Sequence, residues 1–267
     1  MEILGYIAAI FIGISLGMVG SGGSILTVPV LVYLMHINPL LATTSSLFIV
    51  GITSFAGGLR AYSKKLVDFR AVTEFGIPSI FSIFITRHYL LPSLPDTLFT
   101  IGNIVISKEM FLMVVFAILM LGAAFTMIRS HEADAAPEEA EKNRHNKVLP
   151  LVILGLLIGL VTGMLGAGGG FLIIPTLVLF LKLPMKSAVG TSLLLIGLNS
   201  LFGFVFSLKQ FEFDWILLLS FTALAVTGIF IGSKLADKIP GASLKKGFGW
   251  FVLVMGIYII IKELVLK

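Results

Sequence analysis

The chain is written twice, and this constrains its fold more than any other feature. Gly166 follows Gly20 by 146 positions (166 − 20), and the same offset, without a gap, pairs Gly13 with Gly159, Gly17 with Gly163, Met18 with Met164, Gly22 with Gly168 and Gly23 with Gly169. It goes on to pair Pro29 with Pro175, Ala42 with Ala188, Ser46 with Ser192, Gly51 with Gly197, Ser54 with Ser200, Gly57 with Gly203 and Asp68 with Asp214. Chance matching of leucines in an apolar chain does not hold glycine, proline and aspartate in register over that length. Self-similarity at one fixed offset marks a tandem duplication.

Each copy carries five apolar segments: 3–19, 25–36, 41–61, 71–91 and 110–128, then 149–165, 171–181, 187–208, 215–236 and 248–262. Most approach the roughly 20 residues a helix needs to cross about 30 Å of hydrocarbon. The chain is 57% hydrophobic and 12% charged, with mean hydropathy +1.07, against about 25% charged in a soluble domain. The segments are too long, and too little alternating, for an outer-membrane barrel. The expected fold class is an all-α polytopic membrane protein of two repeats, residues 1–129 and 148–267. Segment 25–36 spans only about 18 Å as a helix, so it reads as a half-helix or re-entrant limb. The connection 92–108 has loop chemistry, Pro92, Pro95 and Gly102-Asn103, with room for a short interfacial helix. Residues 130–147 gather Glu132, Asp134, Glu138, Glu139 and Glu141 and read as a solvated linker. Met1-Glu2-Ile3-Leu4 lacks a basic leader pattern and reads as the start of a retained helix. With no cysteine there is no disulfide or thiolate chemistry to propose.

An odd number of spans per copy turns the second copy upside down. Lys and Arg favour cytoplasmic loops, which tests this. The loop after segment three holds Lys64, Lys65 and Arg70, while its repeat partner holds only Lys209. Conversely, the loop after segment two has no basic residue, while its partner has Lys182 and Lys186. Opposite biases in equivalent loops predict inverted repeats, a cytoplasmic linker and both termini outside. The net charge of +5 is then topological and does not indicate nucleic acid.

A glycine cluster at membrane depth exposes backbone that lipid cannot satisfy, so it must line a protein-enclosed or wet cavity. Two clusters do this, Gly20 to Ser24 and Gly166 to Gly170. Helices restarting there would aim free amides and a positive dipole end into the cavity, which favours an anion. The expected site is Ser21, Gly22, Gly23 and Ser24 with Ala167, Gly168, Gly169 and Gly170. Thr44, Ser45 and Ser46 align with Gly190, Thr191 and Ser192. These hydroxyls read either as substrate contacts or as interhelical glue, and Asn199 stands under the same two readings. Gly13, Gly17, Gly159 and Gly163 read as tight helix crossings. Among ionisable residues, Glu74, Arg87 and His88 read as interfacial, His36 as a terminal or capping residue, and Asp68 and Asp214 as helix N-caps. Trp215 and Trp250 suit an aromatic belt. No carboxylate reads as buried, so nothing speaks for proton coupling.

Gly13-x3-Gly17-x2-Gly20-x-Gly22-Gly23 with Pro29, Gly159-x3-Gly163-x2-Gly166-x-Gly168-Gly169-Gly170 with Pro175, and the Gly190-Thr191-Ser192-Leu193 stretch together resemble the TauE/SafE sulfite-exporter family, also called the toluene-sulfonate uptake permease family. The resemblance covers both halves. The first copy departs from the second at Ser24 and at Thr44. The resemblance implies a secondary transporter of small sulfur-containing anions such as sulfite, sulfoacetate or other organosulfonates, multi-pass in the plasma (inner) membrane. Partners are the anion and the bilayer, with a homo-oligomer compatible; no cofactor or metal is expected. Two other readings remain: an anion channel of the same architecture, and an intramembrane serine hydrolase using Ser21 or Ser24, which would need a base such as His36 or His88 within reach.

Overall fold

The computed structural model describes residues 2–20, 23–101, 104–129, 148–166, 168–236 and 241–264. The linker 130–147 and the predicted site residues Ser21, Gly22 and Ala167 lie outside these. Among the described residues the helices number ten, five per copy. They are α1 (Glu2–Val19), α2 (Ser24–Leu34), α3 (Pro39–Ser63), α4 (Phe69–Ser93), α5 (Lys108–Arg129), α6 (Val148–Leu165), α7 (Gly170–Leu181), α8 (Met185–Ser207), α9 (Trp215–Ala236) and α10 (Gly241–Leu264). Six of them, α3, α4, α5, α6, α8 and α9, are long and apolar enough to cross a membrane. The protein is an all-α polytopic membrane protein, and α2 and α7 are its short members.

Local chemistry sets the ends. Asn38 caps α3 by accepting the Leu40 amide, with Pro39 in the first turn where a missing amide costs least. Asp68 accepts the Ala71 amide at α4, and Asp214 accepts the Ile216 and Leu217 amides at α9, so both act as N-caps. The connection after α4 departs from the expected loop or interfacial helix. Thr97–Ile101 (β1) and Ile104–Ser107 (β2) pair antiparallel, Ile101 opposite Ile104 and Thr97 opposite Ser107. Its density of β-branched residues explains the preference.

Lipid offers no hydrophobic drive between helices, so close backbone approach does the work. The glycines of α1 and α6 supply it. A Cβ on Gly13 would lie 2.0 Å from the Ala225 carbonyl oxygen of α9, and one on Gly159 would lie 2.4 Å from that of Ser79 in α4. These are the tight crossings the spacing predicts. Apolar side chains such as Phe11, Ile77, Phe81, Leu149 and Ile216 face outward around the bundle.

The packing repeats as the sequence does. α1 packs on α9 as α6 packs on α4; α3 packs on α9 as α8 packs on α4; α3 also packs on α8, and α5 on α10. Directions follow from contacts. Gly13 meets Ala225 and Gly17 meets Ile229, so α1 and α9 are parallel; Gly155 meets Phe75 and Gly163 meets Thr86, so α6 and α4 are parallel. In contrast, Leu47 meets Gly203, Gly51 meets Leu201, Phe55 meets Gly197 and Ala61 meets Gly190, so the repeat-equivalent helices α3 and α8 are antiparallel. Their contacts pivot about Thr53 and Asn199, which are themselves 146 positions apart (199 − 53).

Candidate functional site

The two glycine elbows lie against the starts of α8 and α3. α1 ends where Gly20, in a left-handed conformation with φ of 79°, meets Val189 at the start of α8. The chain then turns back, and Gly23 packs on Ile12 and Leu16 of α1 before α2 begins. In the second copy Gly166 (φ 69°) meets the Thr43 carbonyl at the start of α3, and Gly169 packs on Thr162 and Ile158 of α6 before α7 begins. Each short helix therefore starts part-way along the bundle, and α2 and α7 touch. Gly168 reaches the α3–α8 crossing itself. A Cβ there would lie 2.8 Å from Ile196, 3.0 Å from the Ser200 hydroxyl and 3.1 Å from Val50. Only glycine admits that approach together with a φ of 67°.

The pivot is polar and under-satisfied. Thr53, Ser54, Asn199 and Ser200 are all fully buried. Asn199 donates through Nδ2 to the Ser79 hydroxyl at 2.8 Å. The Thr53, Ser54 and Ser200 hydroxyls and the Asn199 Oδ1 have no partner among the described residues. Each buried polar group left unpaired costs about 1–3 kcal/mol, and in a membrane protein such a cluster is where a polar guest is accommodated. Of these, only Asn199 was legible as a candidate in the sequence.

The other predicted residues divide. Ser46 donates to the Gly166 carbonyl at 2.9 Å, which ties α3 to the second elbow. Thr44 accepts from Arg87, and Ser45 is buried beside it. Thr191 accepts the Asp68 amide at 2.9 Å and so joins α8 to the α3–α4 turn; Ser192 bonds back to Val189 in its own helix. Ser24, Gly168, Gly169 and Gly170 are buried. The two described histidines that could serve a nucleophile, His36 and His88, are exposed, and His88 stacks on Phe84.

Three expectations meet the structure differently. Glu74 pairs with Arg70 one turn away. Arg87, near the far end of α4, is not solvent-exposed there: it is fully buried. The cause is local. α4 widens into a π turn over Thr86–Leu90, a feature frequent at functional sites, which rotates Arg87 inward. There its Nη1 donates to Thr44 at 2.8 Å, while Gln210 donates to the Arg87 carbonyl at 3.0 Å. Nor are all carboxylates exposed. Glu263, in the last turn of α10, is buried and accepts from the Tyr33 hydroxyl at the end of α2. Docking of α2 on α10 covers it.

The comparisons with known proteins agree over the whole length. The profile of one protein family, described as sulfite exporter TauE/SafE, matches residues 5–259. The chain belongs to the TauE/SafE family. It is 29% identical to a protein named probable membrane transporter protein in Xylella fastidiosa, over 93% of this chain and 91% of that one. It is 27% identical to proteins of the same description in Methanocaldococcus jannaschii and Haemophilus influenzae, each over 94% of both chains. No solved structure matches. As a TauE/SafE member, the chain is an integral, multi-pass membrane transporter.

Proposed function

We propose that this TauE/SafE protein is a secondary transporter of small sulfur-containing anions, sulfite or organosulfonates, working by alternating access. The anion passes between the two glycine elbows along the α3–α8 pair, whose pivot is polar. One observation carries the reading: Gly168 packs on Ser200 at the α3–α8 crossing, where Thr53, Ser54, Asn199 and Ser200 are fully buried and each keeps an atom that no described residue satisfies. Neutral donors and amides can replace an anion's hydration shell there while leaving binding weak enough for release. The two elbows lie at the starts of the antiparallel helices α8 and α3, at opposite ends of that pair. Each therefore forms half of a gate, and rocking one copy against the other opens one side at a time.

The antiparallel packing of α3 against α8 supports opposite membrane orientations for the two copies. Helix directions gather Lys64, Lys65, Arg70, Lys182, Lys186 and Lys234 at one end, which is the cytoplasmic side by the positive-inside rule. The linker 130–147 leaves α5 at that same end, and both termini lie on the other side of the inner membrane.

The test is uptake of labelled sulfite and methanesulfonate into proteoliposomes. Saturable uptake with counter-transport, lost in Gly168→Leu, is the expected result. Non-saturating flux would favour a channel, and saturation unchanged in Gly168→Leu would move the site elsewhere.

A further inference from the structure

One buried charged group is only partly used by the fold's own bonding. Arg87 is fully buried, and a guanidinium keeps its charge when buried. No acidic side chain among the described residues pairs with it. Of its three nitrogens only Nη1 is used, by Thr44. Nε and Nη2 have no partner among the described residues. These two share one edge of the planar group, the edge that takes two oxygens of an oxyanion side by side. A buried charge with half its donors idle is strongly disfavoured unless something occupies them.

Position adds to this. Thr86, the residue before Arg87, faces Gly163 near the end of α6, one turn ahead of the second elbow. Thr43, the residue before Thr44, faces Gly166 in that elbow, and Ser46 holds the Gly166 carbonyl. Arg87 on α4 and its partner Thr44 on α3 thus each follow a residue packed on the end of α6 or on the second elbow, on the side of the protein opposite the basic loops.

We propose that Arg87 is the oxyanion receptor of this transporter, its Nε–Nη2 edge taking two oxygens of a sulfite or sulfonate group while Thr44 fixes the guanidinium through Nη1. The proposal rests on the sulfur-anion reading above and deepens it. It also gives a basis for substrate class. A pyramidal sulfite or a sulfonate has three oxygens, so two can fill the fork while the third reaches elbow amides or hydroxyls. A carboxylate spends both oxygens on the fork and leaves the elbow unanswered. Three-oxygen sulfur anions are therefore preferred over carboxylates.

The experiment uses the purified full chain, wild type, Arg87→Gln and Arg87→Lys, with Gly122→Ala as a control. Anion-induced thermal stabilisation is read with sulfite, methanesulfonate and acetate, and uptake is read in proteoliposomes. Wild type should be stabilised by sulfite or methanesulfonate at concentrations at which acetate does little. Arg87→Gln and Arg87→Lys, eluting as monodisperse protein, should need about tenfold more anion or worse, since a bond to a charged group is at stake; lysine has no planar fork to restore it. A wild-type shift that persists in Arg87→Gln overturns the receptor, as does a wild type with no shift. If the shift follows Arg87 but wild type moves neither anion, the transport reading falls and the receptor stands. Should Arg87→Gln fail to fold, Thr44→Val serves: a wild-type anion response in that variant counts against the proposal.

Discussion

The two copies share a scaffold and differ at one corner. In the first copy Arg87 meets Thr44 beside the second elbow. The repeat-equivalent positions in the other copy are Ser233 and Gly190. There a different arginine, Arg60 near the end of α3, donates to the Ser233 hydroxyl at 2.7 Å and to the Phe230 carbonyl at 3.3 Å. It is only partly buried. The elbows differ too. Gly169 is left-handed, with φ 65°, whereas its counterpart Gly23 is right-handed, with φ −66°. Duplication thus supplies the pivot and the elbows, while divergence places the buried charge on one side. In the proposed transporter that single charge gives the anion's path a polarity.

This contrast can be broken most forcefully at the elbows. Gly166→Ala drives a Cβ to 2.0 Å from the Thr43 backbone oxygen at a positive φ, whereas Gly20→Ala meets the movable Val189 side chain at 2.6 Å. Left-handed strain costs about 1–2 kcal/mol in both, and overpacking adds about 1–3 kcal/mol where nothing can yield. Thermal melts should therefore rank Gly166→Ala well below Gly20→Ala; equal melts would mean the elbows are energetically alike.

Next comes the arginine pair. Arg60→Gln should leave the half-saturating sulfite concentration within about twofold of wild type and cost about 1 kcal/mol of stability, where Arg87→Gln raises that concentration about tenfold or more. Equal effects on uptake would erase the distinction between corners. Thr44→Val isolates the anchor alone. It should weaken sulfite response by about fivefold, the worth of about 1 kcal/mol, while Ser192→Ala, which loses only a bond within its own helix, should not. At the small end, Gly122 in α5 has open space around it, so Gly122→Ala should raise stability by about 0.5–1 kcal/mol with uptake unchanged.

Much of this architecture was legible in the residues. The fixed offset announced the duplication, and the apolar runs located nine of the ten helices to within two positions, while α10 begins at Gly241, seven before its run. Loop charges predict inverted copies, and the antiparallel packing of α3 on α8 is compatible with that. Asp68 and Asp214 announced themselves as caps because capping is local chemistry. Arg87 was not legible as buried, because its depth depends on a π turn and on a partner 43 positions away. One signal existed. Thr44 against Gly190 and Arg87 against Ser233 are both departures between the copies, and the two departures touch. Places where a duplicated chain differs from itself in contacting pairs are candidates for function. Ser54 and Ser200 matched across the copies but passed as ordinary helix hydroxyls. Only the structure shows that they, Thr53 and Asn199 are fully buried midway along the α3–α8 pair with atoms that no described residue satisfies.

The most direct measurement is a crystal structure of the full chain with selenite, a heavier isostere of sulfite, located by its anomalous signal. The account predicts one dominant selenium peak within hydrogen-bond reach of the Arg87 Nε–Nη2 edge, on the side facing the Gly166–Gly170 elbow. A dominant peak against Arg60, or bound selenite that leaves that edge untouched, would contradict it.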